Sequence, residues 1–428
     1  MIPAMAEPLA IDAALPQRDL LLSLDVMAHR LGYLVAARRL APERCERIRA
    51  NYQIGKSLRL VHRLDLNGKS VIVAARAFRH GRSAAAFREA QTTAVPCGSL
   101  AAVAHDPALE TVFWTFPNDR RILTLPEVLR APETLAPLGA DSSLETRVAA
   151  YAPEKSATLA LVNTSGAAVA YAKVCGRDQG WRDYQIYQHL WRAVPVGHPF
   201  LAVPRPLGYD AVRRTLLIEA VSGRRLTDVN NGGAEDDHHR LGSALASFHA
   251  VEPPGVSPFA RFSDDRLRQA ADALAALRPD VASVAAALAR DLNERRPDDA
   301  NDLVLLHGDV HPKNAIFTGH RVTLIDVEDA AIGSAAADVA SLLAGLDYLV
   351  IAKRVDAAVH RKLASAFLTG YDRVAARPRH PSLRWHRAAA LLVERAYRAV
   401  TRVRPLGLHN LEALLVHARR VLTEEDYV

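Results

Sequence analysis

One segment constrains the fold of this chain more than any other: two short apolar runs, each ending in an aspartate, within a mostly helical C-terminal half. The first run leads into His307-Gly-Asp309, and the second ends at Ile325-Asp326. Short apolar runs separated by glycine turns are typical of strands rather than helices. A further short strand over 315–318 lies between them, so we expect Asp309, Asn314 and Asp326 to converge on one small volume.

These residue types suit two separate tasks, metal binding and the orientation of a nucleophile. An asparagine beside a carboxylate suits Mg²⁺, a hard cation that prefers oxygen ligands. A separate carboxylate, free of metal, suits the orientation of a hydroxyl nucleophile. Phosphoryl transfer needs both parts, because a metal holds the phosphates while a carboxylate positions the attacking oxygen.

The motif His307-Gly-Asp-x-His-x-x-Asn314, followed by Ile325-Asp326, resembles the catalytic and metal-binding motifs of the aminoglycoside phosphotransferase and choline kinase-like superfamily. The resemblance implies a bilobal, protein-kinase-like α+β fold with a small β-rich lobe and a large helical lobe. It also implies that ATP is a co-substrate and that Mg²⁺ is required.

The same resemblance assigns roles to individual residues. Asp309 would be the catalytic base or would orient the acceptor hydroxyl, while Asn314 and Asp326 would hold Mg²⁺. Structural support of the catalytic loop is implied for three further residues, His307, His311 and Asp338. For Glu328 and Asp329, the sequence leaves open whether they face substrate or begin a solvated loop.

An ATP site should lie upstream of these motifs. The alternating stretch Val169-Ala-Tyr-Ala-Lys173 is similar to the strand that carries the superfamily's phosphate-binding lysine. Asp183 is the acidic residue on the following helical stretch, where the family usually has the longer glutamate. Its pairing with Lys173 therefore stays open.

The nucleotide site has two further candidate parts. The strand ending at Glu219 resembles the hinge between kinase lobes, which implies that the Glu219 carbonyl and the Val221 N–H hold adenine, with Ile218 behind it. No Gly-x-Gly-x-x-Gly motif covers the phosphates, and Lys155 and Ser156 in the preceding turn are the candidates for that role.

The N-terminal region contains a second segment of similar pattern, beginning at Tyr52, that predicts an internal duplication of the small lobe. It has Arg76 near the place of Lys173 and Glu89 on its following helix, but Arg is a poor replacement for a compact phosphate lysine. We therefore assign ATP binding to the later segment. Three domains are expected: an accessory domain at 1–140, helical to about Ala50 and then a degenerate small-lobe-like sheet; an ATP-binding small lobe at 141–222; and a helical large lobe at 223–428.

The accessory domain is expected to be a lid, a substrate-binding platform or the interface of a homodimer. The formal charge of +7 is spread along the chain without a basic cluster, so a nucleic-acid partner is not expected. Three well-separated cysteines, a poor signal-peptide pattern over Met1–Ala14 and the lack of a long apolar run favour a cytoplasmic protein that does not enter a membrane.

The acceptor is expected to be a small hydroxylated metabolite. The helices expected to set specificity, at about 255–300 and 340–410, are rich in arginine, whereas a polycationic aminoglycoside would favour carboxylates. This favours a neutral or anionic sugar or cyclitol over an aminoglycoside, although an amino sugar and an antibiotic phosphotransferase remain alternatives. A pseudokinase acting as a nucleotide-binding regulatory module is a further alternative, and a protein kinase fits the His-Gly-Asp loop less well.

Overall fold

The computed structural model describes residues 9–36, 42–138, 143–226, 233–255, 258, 260–299 and 302–424. The domain boundary expected at 140/141 lies outside the described residues, as does the first part of Met1–Ala14. Within the described ranges, every helix is too short or too polar to cross a lipid bilayer.

The N-terminal unit consists of two helices followed by a five-stranded antiparallel sheet in the order β1-β2-β3-β5-β4. Its elements are α1 (Arg18–Leu22), α2 (Leu24–Val35), β1 (Arg44–Gln53), β2 (Ser57–Leu66), β3 (Lys69–Ala77), α3 (Ser83–Thr93), β4 (Val103–Asp106), β5 (Thr111–Thr115), α4 (Leu125–Arg130) and a 3-10 helix (Pro132–Leu138). The expectation of helix up to about Ala50 is wrong beyond Arg44. This stretch pairs with β2 apart from a bulge at Ile48, and pairing outweighs the helix propensity of its charged residues.

The second unit repeats this topology. It contains β6 (Glu145–Ala152), β7 (Ser156–Val162), β8 (Ala168–Cys175), α5 (Gln179–Ala193), β10 (Pro206–Asp210) and β11 (Thr215–Glu219), and the short strand β9 (Leu201–Ala202) precedes β10. The sheet order is β10-β11-β8-β7-β6, so both units place a helix after the third strand and insert the last strand beside the third. Arg76 faces Arg59 across its sheet as Lys173 faces Thr158, so Arg76 occupies the position of Lys173.

The remainder is mainly helical. It contains β12 (Arg224–Arg225), α6 (Ala234–His249), α7 (Asp264–Leu277), a 3-10 helix (Pro279–Val281), α8 (Ala282–Glu294), β13 (Leu303–Leu306), a 3-10 helix (Pro312–Asn314), β14 (Ala315–Thr318), β15 (Arg321–Leu324), a 3-10 helix (Val327–Asp329), β16 (Ala331–Ser334), α9 (Ala335–Ile351), α10 (Ala357–Asp372), α11 (His380–Ala390), a π-helix (Leu391–Ala396), α12 (Tyr397–Thr401), α13 (Pro405–His409) and α14 (Leu411–Thr423). A sheet lobe followed by a helical lobe with two short antiparallel pairs, β14–β15 and β13–β16, is the bilobal protein-kinase-like arrangement predicted from the motifs.

The N-terminal sheet is buried on both faces. Leu58, Leu60 and Val73 point into a core shared with helices α7, α8 and α14, whereas Val61 and Trp114 point into a core shared with the second sheet. Neighbouring strand residues point to opposite faces, so one sheet contributes to two cores. The N-terminal unit is therefore wedged between the small lobe and the helical lobe.

Candidate active site

A cleft of about 730 Å³ separates the second sheet from the helical lobe. Most of the residues predicted for nucleotide and metal line it, together with one of the predicted supports: Lys173, Ile218, Glu219, Val221, His311, Asn314 and Asp326. Its volume falls within the range of small-molecule sites. Residues that are more than 150 positions apart in the sequence thus share one cavity.

Lys173 is nearly fully buried on β8 and has two carboxylate neighbours. Its Nζ lies 3.3 Å from Oδ2 of Asp183 on α5, so the shorter acidic side chain does reach the lysine. The carboxylate of Glu328 also contacts Lys173 and lies 3.8 Å from the Nζ of Lys155. Burial raises the pKa of Asp183, and the positive charge of Lys173 opposes that rise. Glu328 therefore faces the cleft, which the sequence had left open.

The strand β11 supplies the hinge side of the cleft. Ile218 and Glu219 pair with Tyr171 and Ala170 of β8, and the N–H of the following Ala220 donates to the carbonyl of Val169. These bonds hold the end of the strand beside the one that carries Lys173. The segment up to Val221 lies along the cavity, which it lines with Ile218, Glu219 and Val221.

The turn before β7 lies on the other side of Lys173. Lys155 is exposed and lines a neighbouring cavity, whereas Ser156 begins β7, pairs with Ala152 and does not line the cleft. Glu154, in this turn, adopts a left-handed conformation with a φ of 63°, which is uncommon for a residue with a side chain.

Glu154 is held by the N-terminal unit. Its backbone N–H donates to Asp119, and its buried carboxylate contacts Arg76 and lies within 4 Å of Arg59 and Arg121. Arg76 thus pairs with the turn of the second unit and not with Glu89 on its own following helix. The sequence could not reveal this contact, because the partners lie 78 positions apart in different units.

The loop that carries Asp309 follows β13 and contains a glycine that cannot be replaced without strain. Gly308 has a φ of 84°, and a Cβ at this position would lie 2.1 Å from the carbonyl oxygen of Asp329. The loop therefore rests directly on the turn that follows the second strand of the hairpin. This close approach links the segment carrying Asp309 to the segment carrying Asp326 and Glu328.

His307 and Asp338 hold the loop in place through hydrogen bonds to its backbone. The buried carboxylate of Asp338 accepts hydrogen bonds from the N–H groups of His307 (2.6 Å) and Gly308 (3.1 Å). The His307 ring accepts from the Asp309 N–H at Nδ1 and, at Nε2, lies 3.0 Å from the carbonyl oxygen of Ile325. Burial lowers the pKa of His307, so the ring is the neutral tautomer with a proton on Nε2.

A cation on the opposite side balances the charge of Asp338. Arg261 donates to Asp338 at 2.8 Å and also pairs with the buried Glu394, while His249 lies 3.3 Å from Asp338. Burial alone would raise the pKa of Asp338, but His249 and Arg261 outweigh it and hold that pKa at about 2. Asp338 is therefore an ionised anchor for the loop.

Asp309 is partly exposed and ionised. Burial opposes its ionisation, but His311, Arg398 and Arg261 together hold the pKa of Asp309 well below its usual range. His311 Nε2 lies 3.6 Å from the Asp309 carboxylate, which is an electrostatic contact rather than a direct hydrogen bond. The carboxylate is therefore available as a hydrogen-bond acceptor at neutral pH.

Asn314 and Asp326 lie at adjacent ends of the β14–β15 pair. The Asn314 side-chain amide donates to the Asp309 carbonyl, and its backbone carbonyl accepts from the Ile325 N–H. Asp326 is left-handed, with a φ of 64°, and its N–H donates to the hydroxyl of Tyr187. Such strain in a residue with a side chain is typical of functional sites.

The donor set of this pair fits Mg²⁺. With its amide nitrogen engaged, Asn314 has its side-chain oxygen left for a ligand, and Asp326 adds a carboxylate in the same cleft. Among the described residues, no group of three or more His, Cys, Asp or Glu side chains forms a metal cluster. Two oxygen ligands completed by phosphates and water are the usual environment of Mg²⁺ in phosphotransferases.

The family comparison agrees with these motifs. Residues 178–377, just under half of the chain, match the sequence model described as the phosphotransferase enzyme family. A search among curated proteins finds no match for the chain.

Solved structures with some likeness to the chain include enzymes of this kind. One is a choline/ethanolamine kinase family protein from Mesorhizobium loti, with 15% identity over 70% of this chain and 94% of that one and a TM-score of 0.46. Another is a thermostable mutant of an aminoglycoside phosphotransferase in complex with ADP and hygromycin B, with 15% identity over 70% of this chain and 99% of that one and a TM-score of 0.48.

A third is an aminoglycoside-3'-phosphotransferase of type VIII, with 24% identity over 60% of this chain and 97% of that one and a TM-score of 0.42. These likenesses are distant, so the fold assignment rests on the topology and contacts of the chain itself. The resemblance drawn from the segment His307 to Asp338 is confirmed where the family model matches: residues 178–377 carry the sequence pattern of the phosphotransferase enzyme family.

Proposed function

We propose that the protein is an ATP- and Mg²⁺-dependent phosphotransferase that moves the γ-phosphoryl group of ATP to a hydroxyl of a small metabolite. The observation that carries this proposal is the shared cleft. The cleft is lined by the buried Lys173, which pairs with Asp183, by a hinge strand and by two oxygen ligands. The ionised Asp309 lies on the loop between β13 and Asn314. The match of residues 178–377 to the phosphotransferase family supports it.

ATP would bind with its adenine at the hinge and its phosphates towards Lys173. The Glu219 carbonyl and the Val221 N–H would hold the adenine edge, with Ile218 behind the ring. Because the Glu328 carboxylate contacts Lys173, the α- and β-phosphates would have to replace it as the partner of the lysine. Asp183, on the other side, keeps Lys173 in place during this exchange.

Asn314 and Asp326 would hold Mg²⁺ on the cleft floor. The ion supplies positive charge that neutralises the phosphates and orients the γ-phosphoryl group for in-line attack. The protein contributes rigidity: β14–β15 pairing and the Tyr187 hydroxyl fix the two ligands before ATP arrives.

Asp309 would orient the acceptor. Its carboxylate accepts a hydrogen bond from the acceptor hydroxyl, whose oxygen forms a bond to the γ-phosphorus. The bond from that phosphorus to the bridging oxygen breaks, ADP leaves, and the hydroxyl proton passes to Asp309. The network of His307, Asp338 and Arg261 keeps the carboxylate in position.

The test is ATP consumption with Mg²⁺ across sugars, cyclitols, amino sugars and aminoglycosides, with Asp309→Ala as the control. Turnover that needs both an acceptor and Asp309 supports the proposal, and the preferred acceptor separates a metabolite kinase from an aminoglycoside phosphotransferase. Nucleotide binding without turnover on any acceptor would favour the pseudokinase alternative. Equal turnover by the Asp309→Ala variant would refute the role given to this residue.

A further inference from the structure

Two more cavities lie beyond the wall formed by Lys173, Asp183 and Glu328. The first, about 450 Å³, lies between the N-terminal unit, the turn at 152–155 and the helical lobe. The second, about 470 Å³, reaches Gly308 of the catalytic loop. Arg182 and Asp329 line both, so the cavities adjoin and lead from the N-terminal unit to the catalytic loop.

The first cavity is strongly basic. Seven cationic side chains line it, contributed by all three parts of the chain: Arg49, Arg59, Arg121, Lys155, Arg177, Arg182 and Arg402. Four acidic residues also line it, but three have cationic partners already. Glu154 is held by arginines of the N-terminal unit, and Asp183 and Glu328 by Lys173.

Several of these cations have no acidic partner. Within the described ranges, no carboxylate pairs with Arg49, Arg177 or Arg402, and Arg49 has only a long contact to the carbonyl of Tyr151. Burial and the charges of Arg49, Arg398 and other arginines lower the pKa of Arg402 to about 10. Like charges gathered in a half-buried cavity repel one another, and a bound anion would relieve that repulsion.

The basic cavity is connected, through the second cavity, to the loop that carries Asp309. Arg402 directly follows α12, which packs against β1, the strand that carries Arg49. Arg398, one turn earlier on α12, lines the second cavity together with Gly308, the residue that precedes Asp309. A ligand with an anionic group near Arg49 and Arg402 would thus extend towards Asp309.

We infer that the phosphoryl acceptor is an anionic hydroxylated metabolite, carrying a carboxylate or a phosphate, whose anionic group binds between Arg49 and Arg402 while a hydroxyl faces Asp309. This inference rests on the proposed phosphotransferase function and specifies its substrate class. It also gives the N-terminal unit a role as a substrate-binding platform, since Arg49, Arg59 and Arg121 belong to that unit.

The experiment compares acceptors that differ in charge: glucose, gluconate, glucose 6-phosphate and glucosamine. We expect an anionic acceptor to have a kcat/KM at least about tenfold higher than the neutral and cationic ones. Comparison of gluconate with glucose 6-phosphate then shows whether the site prefers a carboxylate or a phosphate. Arg49→Gln and Arg402→Gln should each raise the KM for that acceptor by about 10- to 100-fold, which is what the loss of one charge-assisted contact implies. The KM for ATP and kcat should change little.

The matched control is Arg88→Gln, which removes an exposed arginine on α3 of the N-terminal unit, outside both cavities. It should leave the KM for every acceptor unchanged. Equal or better kcat/KM with the neutral or cationic acceptors, or wild-type KM values in both cavity variants, would overturn the inference.

A second measurement decides the matter if none of the four acceptors is consumed. Crystals with the nucleotide site filled by AMP-PNP and Mg²⁺ are soaked in selenate, and the anion is found by anomalous scattering. Selenate between Arg49 and Arg402, absent from Arg402→Gln crystals, supports the inference, and an empty cavity or an unaffected selenate overturns it. Failure of the phosphotransferase proposal is distinguishable, because the selenate measurement does not depend on catalysis: a lack of turnover on every acceptor counts against the proposed function alone, whereas an empty cavity counts against the anionic substrate class.

Discussion

Replacement of Asp338 by asparagine tests how the catalytic loop is held. The carboxylate is fully buried and accepts from the N–H groups of His307 and Gly308 on one side and from Arg261 on the other. Asparagine has the same shape but only one oxygen, so its NH₂ group must face either the backbone donors or the arginine. Either orientation leaves a buried donor without an acceptor.

The magnitude follows from these contacts. An unsatisfied buried donor costs about 1–3 kcal/mol, and removal of one partner of a buried ion pair costs about 3–5 kcal/mol. Because Glu394 still neutralises Arg261, we expect the lower end, a loss of about 3 kcal/mol in the free energy of unfolding. The displaced loop should also lower kcat about 100-fold, since misplacement by about 1 Å has that effect, while the KM for ATP stays near its wild-type value.

The assay combines urea unfolding followed by circular dichroism with steady-state kinetics. The matched control is Asp356→Asn, the same chemical change at the exposed N-cap of α10, where asparagine caps as well as aspartate. It should change neither quantity. A loss below about 1 kcal/mol in Asp338→Asn, together with an unchanged kcat, would refute the bracing role.

Three further predictions concern the nucleotide site, the N-terminal unit and the pH dependence of stability. Lys173→Met should lower kcat/KM for ATP by about 100-fold or more, and steady-state kinetics with varied ATP would contradict this if the value stayed within a few-fold. Glu154→Gln should lower the free energy of unfolding by about 3 kcal/mol in urea titrations, because it leaves the partly buried Arg76 without its anion, and an unchanged midpoint would count against that pairing. Burial lowers the pKa of His62 from about 6.5 to about 4. As the pH falls from 6.5 towards 4, the unfolded chain gains a proton that the folded protein does not, so the free energy of unfolding falls by about 3 kcal/mol. His62→Leu should flatten this part of the curve of stability against pH, and parallel curves for the two proteins would contradict the prediction.

The parts of the site that could be predicted from sequence are those determined by local pattern. The strands around Asp309 and Asp326 are short apolar runs bounded by glycine turns, and the structure contains β13, β14 and β15 where those runs occur. Apolar and polar residues alternate along the strand that carries Lys173, so the face of the sheet to which Lys173 belongs could be predicted. The alternation of apolar and polar residues in a strand, and the residue preferences of the turns that bound it, are properties of a few neighbouring residues. These assignments therefore needed no tertiary information.

Other parts depend on contacts between distant segments. The charged stretch from Arg44 has ordinary helix formers, and only pairing with β2 makes it a strand. The pairing of Arg76 with Glu154 and the cavity between Arg49 and Arg402 join residues from different units. A local pattern carries no signal for such contacts, although the repeated pattern does predict that Arg76 lies at the position equivalent to Lys173.

The most direct test of the account is phosphoryl transfer measured on the wild-type protein and on Asp309→Asn under identical nucleotide saturation. The account predicts that the wild type converts ATP to ADP with formation of a phosphorylated, anionic acceptor. It also predicts that Asp309→Asn binds Mg²⁺–AMP-PNP with unchanged affinity but transfers about 10³-fold more slowly. Transfer at the wild-type rate by Asp309→Asn would contradict it.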